Sequence, residues 1–355
     1  MPTESVSDQA LTRRTHGHRA LRLGVGVTVT FLIALAFDWT LAYLAPIFAA
    51  PLLQKSMAPS LRQAVSVLGV TFVIMMLSLL VGGISQAYPA LFLFALFPIL
   101  FWTYRYGLRG GSGLVLLVLL LGLMLLPMVA NTTVEITRKV AGSFVGNIGL
   151  SLVVTYIMFE LFPSMPTEPQ PTPKPSLSSM EVNRRALILT ALTGSYLVVY
   201  FSLEWTNVHT PLYIAVYAYG ANLARGLVVS KSILVSNVAA GLLALFMCEL
   251  TVMTPHFVFV AALVLTVNLV LARMITSEAT WAPLAGFALS VVMIIYGESI
   301  VPFSDGGGSN LIDRLGELGM AAMYAIGGLY ILNVYFPEKL PAVGTPPENA
   351  ATLDG

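Results

Sequence analysis

Apolar residues run along this chain in long unbroken stretches, separated by short clusters of charge, glycine and proline. Reading each stretch between its punctuation gives twelve, near 21–37, 40–54, 63–85, 89–104, 111–131, 140–162, 186–203, 210–224, 232–253, 255–273, 280–299 and 315–336. A helix needs about 20 such residues to cross the hydrocarbon core of a bilayer, so the pattern predicts an all-α polytopic membrane protein with about twelve transmembrane helices. A β-barrel is excluded because the apolar positions are continuous rather than alternating. The second stretch carries Pro46 and Pro51 and the eighth begins at Pro211, so both are expected to be short, bent or broken.

One interval breaks the pattern. From Pro163 to Pro175, counting both ends, there are six prolines mixed with Ser, Thr, Glu and Gln, a composition that builds no core and reads as an extended linker. It divides the chain into a polar N-terminal tail (1–20), a first six-helix unit (21–162), the linker (163–183), a second six-helix unit (184–337) and a C-terminal tail (338–355). No small-residue cleavage site follows a short apolar core, so the first stretch is expected to be a retained span rather than a cleaved signal.

The two units echo each other. A shift of 166 places Arg19-Ala20-Leu21 on Arg185-Ala186-Leu187 and Asp38-Trp39-Thr40 on Glu204-Trp205-Thr206. A shift of 169 brings Arg62 onto Lys231, and Phe162-Pro163 at one end answers Phe336-Pro337 at the other. Six spans per unit is an even number, so the copies share one orientation and are expected to be related by a pseudo-twofold axis along the membrane normal.

Charge fixes the expected orientation. With the N-terminus in the cytoplasm, fifteen of the 18 Lys and Arg residues fall inside, and only Arg138, Lys139 and Arg314 fall outside. Both termini are then cytoplasmic. Composition agrees with a membrane chain: 57% of residues are apolar and 10% charged, against about 25% charged in a soluble domain. Soluble enzymes, nucleic-acid binders and disordered proteins are thereby excluded, leaving the lipid bilayer as the first partner. The lone Cys248 allows neither an intramolecular disulfide nor a cysteine metal site. Gly306-Gly307-Gly308 opens no phosphate-cradling helix and no P-loop occurs, so no ATP hydrolysis, cofactor or metal is expected.

An arginine-containing start, a long first helix with Trp39 near its outer end, a short second span and a basic residue (Arg62, Lys231) opening the third resemble the fusaric acid resistance and aromatic acid exporter superfamily. The resemblance implies a pump of the Gram-negative inner membrane that exports aromatic or other small organic acids beside a periplasmic membrane-fusion protein. Larger relatives carry a sizeable cytosolic domain, whereas here only the proline linker stands between the halves. The leading expectation is a proton-coupled exporter of organic anions. The alternative is a non-transporting scaffold or assembly component of an envelope complex, and a second copy of the chain is a further candidate partner.

Candidate residues follow from repetition and position. Asp38 and Glu204 are either carboxylates that take up protons from outside or N-caps of the following spans. Trp39 and Trp205 are interfacial anchors or substrate-stacking rings. Arg138, Lys139 and Arg314 are a cationic lure for a departing anion, or are neutralised locally by Glu135, Asp313 and Glu317. Glu249 is a further candidate proton carrier, with Glu298 either another or an ordinary interface residue. Asn147 and Asn268 read as interhelical packing amides. Tyr213 and Tyr217 crowd the eighth stretch as candidate aromatics of the pathway.

Overall fold

A computed structural model describes residues 6–39, 41–130, 134–163, 178–203, 210, 214–215, 227–277, 279 and 282–300, together with 316, 319–321, 323–325, 327–328 and 330–331. The described residues are helical, with no strand among them. In chain order the helices are α1 (Val6–Ala36), α2 (Leu44–Leu53), α3 (Leu61–Ala87), α4 (Pro89–Leu108), α5 (Gly113–Ala130) and α6 (Val134–Leu161), followed by α7 (Ser179–Ser202), α8 (Leu227–Met253), α9 (Phe257–Ile275) and α10 (Ala282–Ile300). Among the described residues six segments are long and apolar enough to cross a membrane: His16–Ala36, Leu61–Ile84, Ala90–Leu108, Thr137–Leu161, Ser179–Ser202 and Phe257–Ile275. The chain is an all-helical membrane protein.

Each of these helices lies on one of the apolar stretches read from the sequence. The eighth stretch falls almost wholly outside the described residues and the twelfth only partly within them. The ends differ where polarity misled. Helix α1 begins at Val6 rather than near Leu21, and α7 begins at Ser179 inside the interval assigned to the linker. Local chemistry explains the second case: Ser178 caps α7, its hydroxyl accepting from the Glu181 amide at 3.2 Å. Ser60 starts α3 with a reciprocal capping box, Gln63 returning its side-chain oxygen to the Ser60 amide at 3.1 Å.

Helix α1 is the hub. It packs on α2 and α6 within the N-terminal six helices and on α9 beyond the linker, while α4 packs on α7. Both contacts across the linker interval are close and polar. A Cβ at Gly24 of α1 would lie 3.0 Å from the Leu269 backbone and 3.2 Å from the Asn268 carbonyl, so only glycine admits α9 at this distance. One turn on, the Asn268 amide donates to the Thr28 hydroxyl at 3.0 Å. In the reciprocal contact a Cβ at Gly194 of α7 would meet the Phe97 ring of α4 at 2.5 Å, and the Tyr104 and Thr193 hydroxyls share a 2.7 Å hydrogen bond. Elsewhere α3 lies against α5 and α8 against α10.

Helix α2 lies on the short second stretch, and it is neither broken nor exposed. It runs for 10 residues with Pro51 inside, and every residue but Pro51 is buried. Ten residues rise only about 15 Å, half a hydrocarbon core. The deficit is made up at its N-terminal end, where the site lies.

Candidate functional site

Depth along the bundle can be read from contacts. At the end rich in basic residues, the Arg22 side chain is 1% exposed and donates from Nε to the Leu53 carbonyl at 3.1 Å and from Nη2 to the Lys55 carbonyl at 2.8 Å. Its guanidinium also lies 3.9 Å from the centroid of the Phe159 ring. Arg22, the C-terminus of α2 and Phe159 are therefore level. From Phe159, α6 climbs about 30 Å to Lys139, one hydrocarbon thickness. From Arg22, α1 climbs only about 21 Å before it stops at Ala36.

The turn joining α1 to α2 is consequently sunken. The Trp39 ring rests 3.5 Å from where a Cβ of Gly146 would be, and the Asn147 amide donates to the Leu41 carbonyl at 3.2 Å. About 10 Å of α6 still rise from Gly146 to Lys139. Just below, the Ser151 hydroxyl donates to the Ala45 carbonyl at 2.8 Å, pinning the first turn of α2 to the same helix. Trp39 packs against a small cluster of Ala34, Ala42 and Ala45 with Leu150, below the level of Lys139.

The turn is strained. Asp38 has φ 49° and Leu41 has φ 60°, left-handed conformations that a γ-branched Leu adopts only at a cost. Such outliers cluster where a structure constrains a working segment. Replacing Leu41 with glycine is expected to raise the unfolding free energy by up to about 1 kcal/mol through relief of this strain, read by denaturation in detergent. A loss of stability would show that the Leu41 side chain, rather than the clamp on its carbonyl, holds the turn.

Asp38 is exposed at the lip of this sunken turn. It does not cap α2: the capping position is Tyr43, and no side chain caps that end. A second carboxylate is buried in the bundle. Glu298 of α10 is 6% exposed, with its Oε1 shut off from solvent. Its depth is set by its neighbour Gly297, where a Cβ would lie 2.5 Å from Tyr43 Cβ and 3.2 Å from the Phe31 ring. Phe31 stands about 14 Å along α1 from Arg22, close to the middle of the bundle, and about 7.5 Å deeper than the end of α1 at Ala36. Tyr296 completes this layer, tilted against Phe31 at 6.2 Å and sharing a 2.8 Å hydrogen bond with Thr251 of α8.

The remaining candidates divide. Lys139 pairs with Glu135 at 3.0 Å on the surface, and its hydrogen bond and charge hold the Glu135 carboxyl below the usual carboxylate range. That is the local neutralisation weighed against an anion lure; Arg138 beside it is exposed. Glu249 is exposed near the end of α8, on the stripe that presents Leu242, Phe246 and Met253 outward, and so is not part of the buried layer. Asn268 packs as expected. Asn147 does more than pack, because it fixes the strained turn. Glu204, Trp205, Tyr213, Tyr217 and Arg314 lie outside the described residues. Among the described residues no group of three His, Cys, Asp or Glu side chains could hold a metal.

Sequence reading paired Asp38 with Glu204 by repetition and left Glu298 as either a proton carrier or an ordinary interface residue. Its one usable signal was the Gly297-Glu298 step inside an apolar run, a residue without a side chain beside an acid, but depth is a property of packing and not of spacing.

Residues 19–158 match one family. It is described as a protein of unknown function, DUF2955, and the matched stretch runs from Arg19 in α1 to Met158 in α6. The DUF2955 segment thus contains the sunken turn, Asn147 and Arg22, and stops before the linker; Glu298 lies beyond it. No curated protein and no solved structure matches the chain.

Proposed function

We propose that this protein is a secondary transporter of the membrane, in which Asp38 and Glu298 carry protons inward against the export of a small organic anion. The observations that support it are an exposed acid in a sunken, strained turn and a buried acid beside Gly297, whose backbone packs on Tyr43 where that turn enters α2. An ionisable group inside a membrane is costly, and is kept where it does work. The exposed acid can exchange protons with water, and the acid shut off from solvent can hold one away from it. Gly297 and Tyr43 link the two levels, since any movement of α10 against α2 changes the surroundings of Glu298.

Two further observations favour a pair of like-oriented six-helix units. The contacts across the linker are reciprocal: the first helix of each unit meets the fourth of the other, α1 with α9 and α7 with α4. A twofold axis along the membrane normal produces such a pairing. The DUF2955 match also ends with the first unit. The basic level of Arg22, Lys55, Arg185 and Arg273 then faces the cytoplasm by the positive-inside rule, in an inner membrane, and Asp38 faces the other side. The resemblance to aromatic acid exporters suggests the substrate class and a periplasmic fusion partner.

Proteoliposomes loaded with benzoate and a trapped pH dye test the reading. With acid outside, the wild type is expected to release benzoate while protons enter. Glu298→Gln should abolish the coupled proton signal, and Asp38→Asn should slow it about a hundredfold or more, the share of one positioned proton-transfer group. Equal pH-dependent flux in all three would remove the mechanism. No flux above empty liposomes would favour the scaffold alternative.

A further inference from the structure

We propose that the outward face of α4, at the basic end of the bundle, holds one anionic phospholipid, its phosphate taken by Arg105 and Arg109 and its acyl chain lying along Phe94 and Leu91. The site needs only a bilayer around the chain, and it stands whether or not the protein transports.

Leu91, Phe94, Pro98, Trp102, Arg105 and Arg109 recur at steps of three and four residues and so share one side of α4 and its C-cap. All are exposed except Arg105, which is half-buried. The opposite side, with Phe92, Leu96, Leu100 and Tyr104, is buried in the bundle. Trp102 stands about 16 Å along the helix from Leu91, one leaflet's share of the hydrocarbon core. Polarity along the exposed side therefore changes once: apolar for the depth of a leaflet, then an indole, then two guanidinium groups. A phospholipid has its parts in the same order.

The Arg105 guanidinium lies 4.7 Å from the centroid of the Trp102 ring, which itself rests edge-on to Phe101 at 6.0 Å. That stack holds the cation at the interface before a ligand arrives. Its hydrogen bonds are unspent. Among the described residues nothing accepts from Arg105, and its Nε is shut off from solvent without a partner. The negative end of the α4 dipole favours a cation in this last turn but fills none of its donors. Nor is the charge cancelled nearby. Helix α4 packs on α3, α5 and α7; α3, α4 and α5 carry no acidic residue, and the one acid of α7, Glu181, is bound by Arg184 and Arg185. At Gly110 φ reaches 87° and the chain turns back, so that the Ser112 amide donates to the Tyr106 hydroxyl at 3.0 Å. With its oxygen accepting, half-exposed Tyr106 keeps a proton to donate. Two guanidinium forks and a phenol, with no carboxylate among them, suit a phosphate diester that carries no cation of its own. Phosphatidylcholine would set its quaternary ammonium beside the same two arginines, whereas phosphatidylglycerol brings only hydroxyls.

Native mass spectrometry of the full chain in detergent, titrated with phosphatidylglycerol or phosphatidylcholine, resolves the first lipid bound and its affinity. The wild type is expected to take one phosphatidylglycerol about thirtyfold more tightly than phosphatidylcholine, the worth of two interfacial arginines. Arg105→Gln should leave a preference of about fivefold, and Arg105→Gln with Arg109→Gln none. Trp102→Leu, which frees Arg105 from its stack, should fall between the wild type and Arg105→Gln. Arg273→Gln removes the same charge from the last turn of α9 and should keep the wild-type preference. An undiminished preference in the double variant would overturn the proposal. So would a loss in Arg273→Gln equal to that in Arg105→Gln, which would make net charge alone the attraction, or displacement of the lipid by glycerol 3-phosphate, which would assign the arginines to a phosphate from water.

Discussion

Replacing Arg22 with methionine is expected to cost about 3 kcal/mol or more of stability. Buried ionic groups are often dispensable, because exchanging both partners for apolar side chains removes two desolvation penalties together. Arg22 is a different case. Its partners are the carbonyls of Leu53 and Lys55 at the end of α2, which no substitution can delete. Methionine would keep much of the packing on Phe159 but leave those acceptors unfilled, at about 1–3 kcal/mol for a buried one. It would also remove a cation from the negative end of the α2 dipole. Lysine restores the charge without the fork that reaches two carbonyls, so Arg22→Lys should fall between. Denaturation in detergent, followed by far-UV circular dichroism, reads both variants. A methionine variant within about 0.5 kcal/mol of the wild type, the range of an ordinary surface change, would show that α2 is held by its apolar surface alone.

The same residue shows what the sequence could and could not disclose. Arg22 was visible as one of a cluster of basic residues at a helix start, and the expected orientation followed from counting it. Its use as a cap for another helix was not visible, since Leu53 is separated from it by a helix and a turn whose geometry depends on packing. The apolar stretches translate directly into helices because a membrane demands internal backbone hydrogen bonding. Their depth does not translate: Asp38 and Arg138 read alike as outer-end charges, yet Asp38 sits about 10 Å lower, because α2 is too short to meet α1 at the surface. Asn147 and Asn268 looked equivalent as buried amides. One joins two helices and the other holds a strained turn by its backbone, a distinction that rests on the positive φ of Leu41. Repetition pointed to Asp38 but also to Glu204, and gave no weight to Glu298, for which the first unit has no counterpart in the aligned motifs.

Two glycines of one helix separate packing from propensity. In α10, Gly286 has nothing within 4 Å of where a Cβ would stand, whereas a Cβ at Gly297 would come within 2.5 Å of Tyr43 Cβ. Alanine at Gly286 should therefore be neutral or stabilising by up to about 1 kcal/mol, since it gains helix propensity and meets no obstacle. Alanine at Gly297 should destabilise by about 2 kcal/mol, and leucine by more, because the obstructing atom is the fixed first carbon of a side chain at the start of α2. Tyr43 cannot turn away without moving the backbone that leads to Leu41, and Phe31 blocks retreat on the other side at 3.2 Å. Displacing α10 also displaces Glu298. Gly297→Ala should then depress proton-coupled flux beyond its effect on stability, whereas Gly286→Ala should leave flux at the wild-type level. Matched losses in the two variants would mean that α10 responds to backbone flexibility along its length. In that event the close contact with Tyr43 would not be what positions the buried acid.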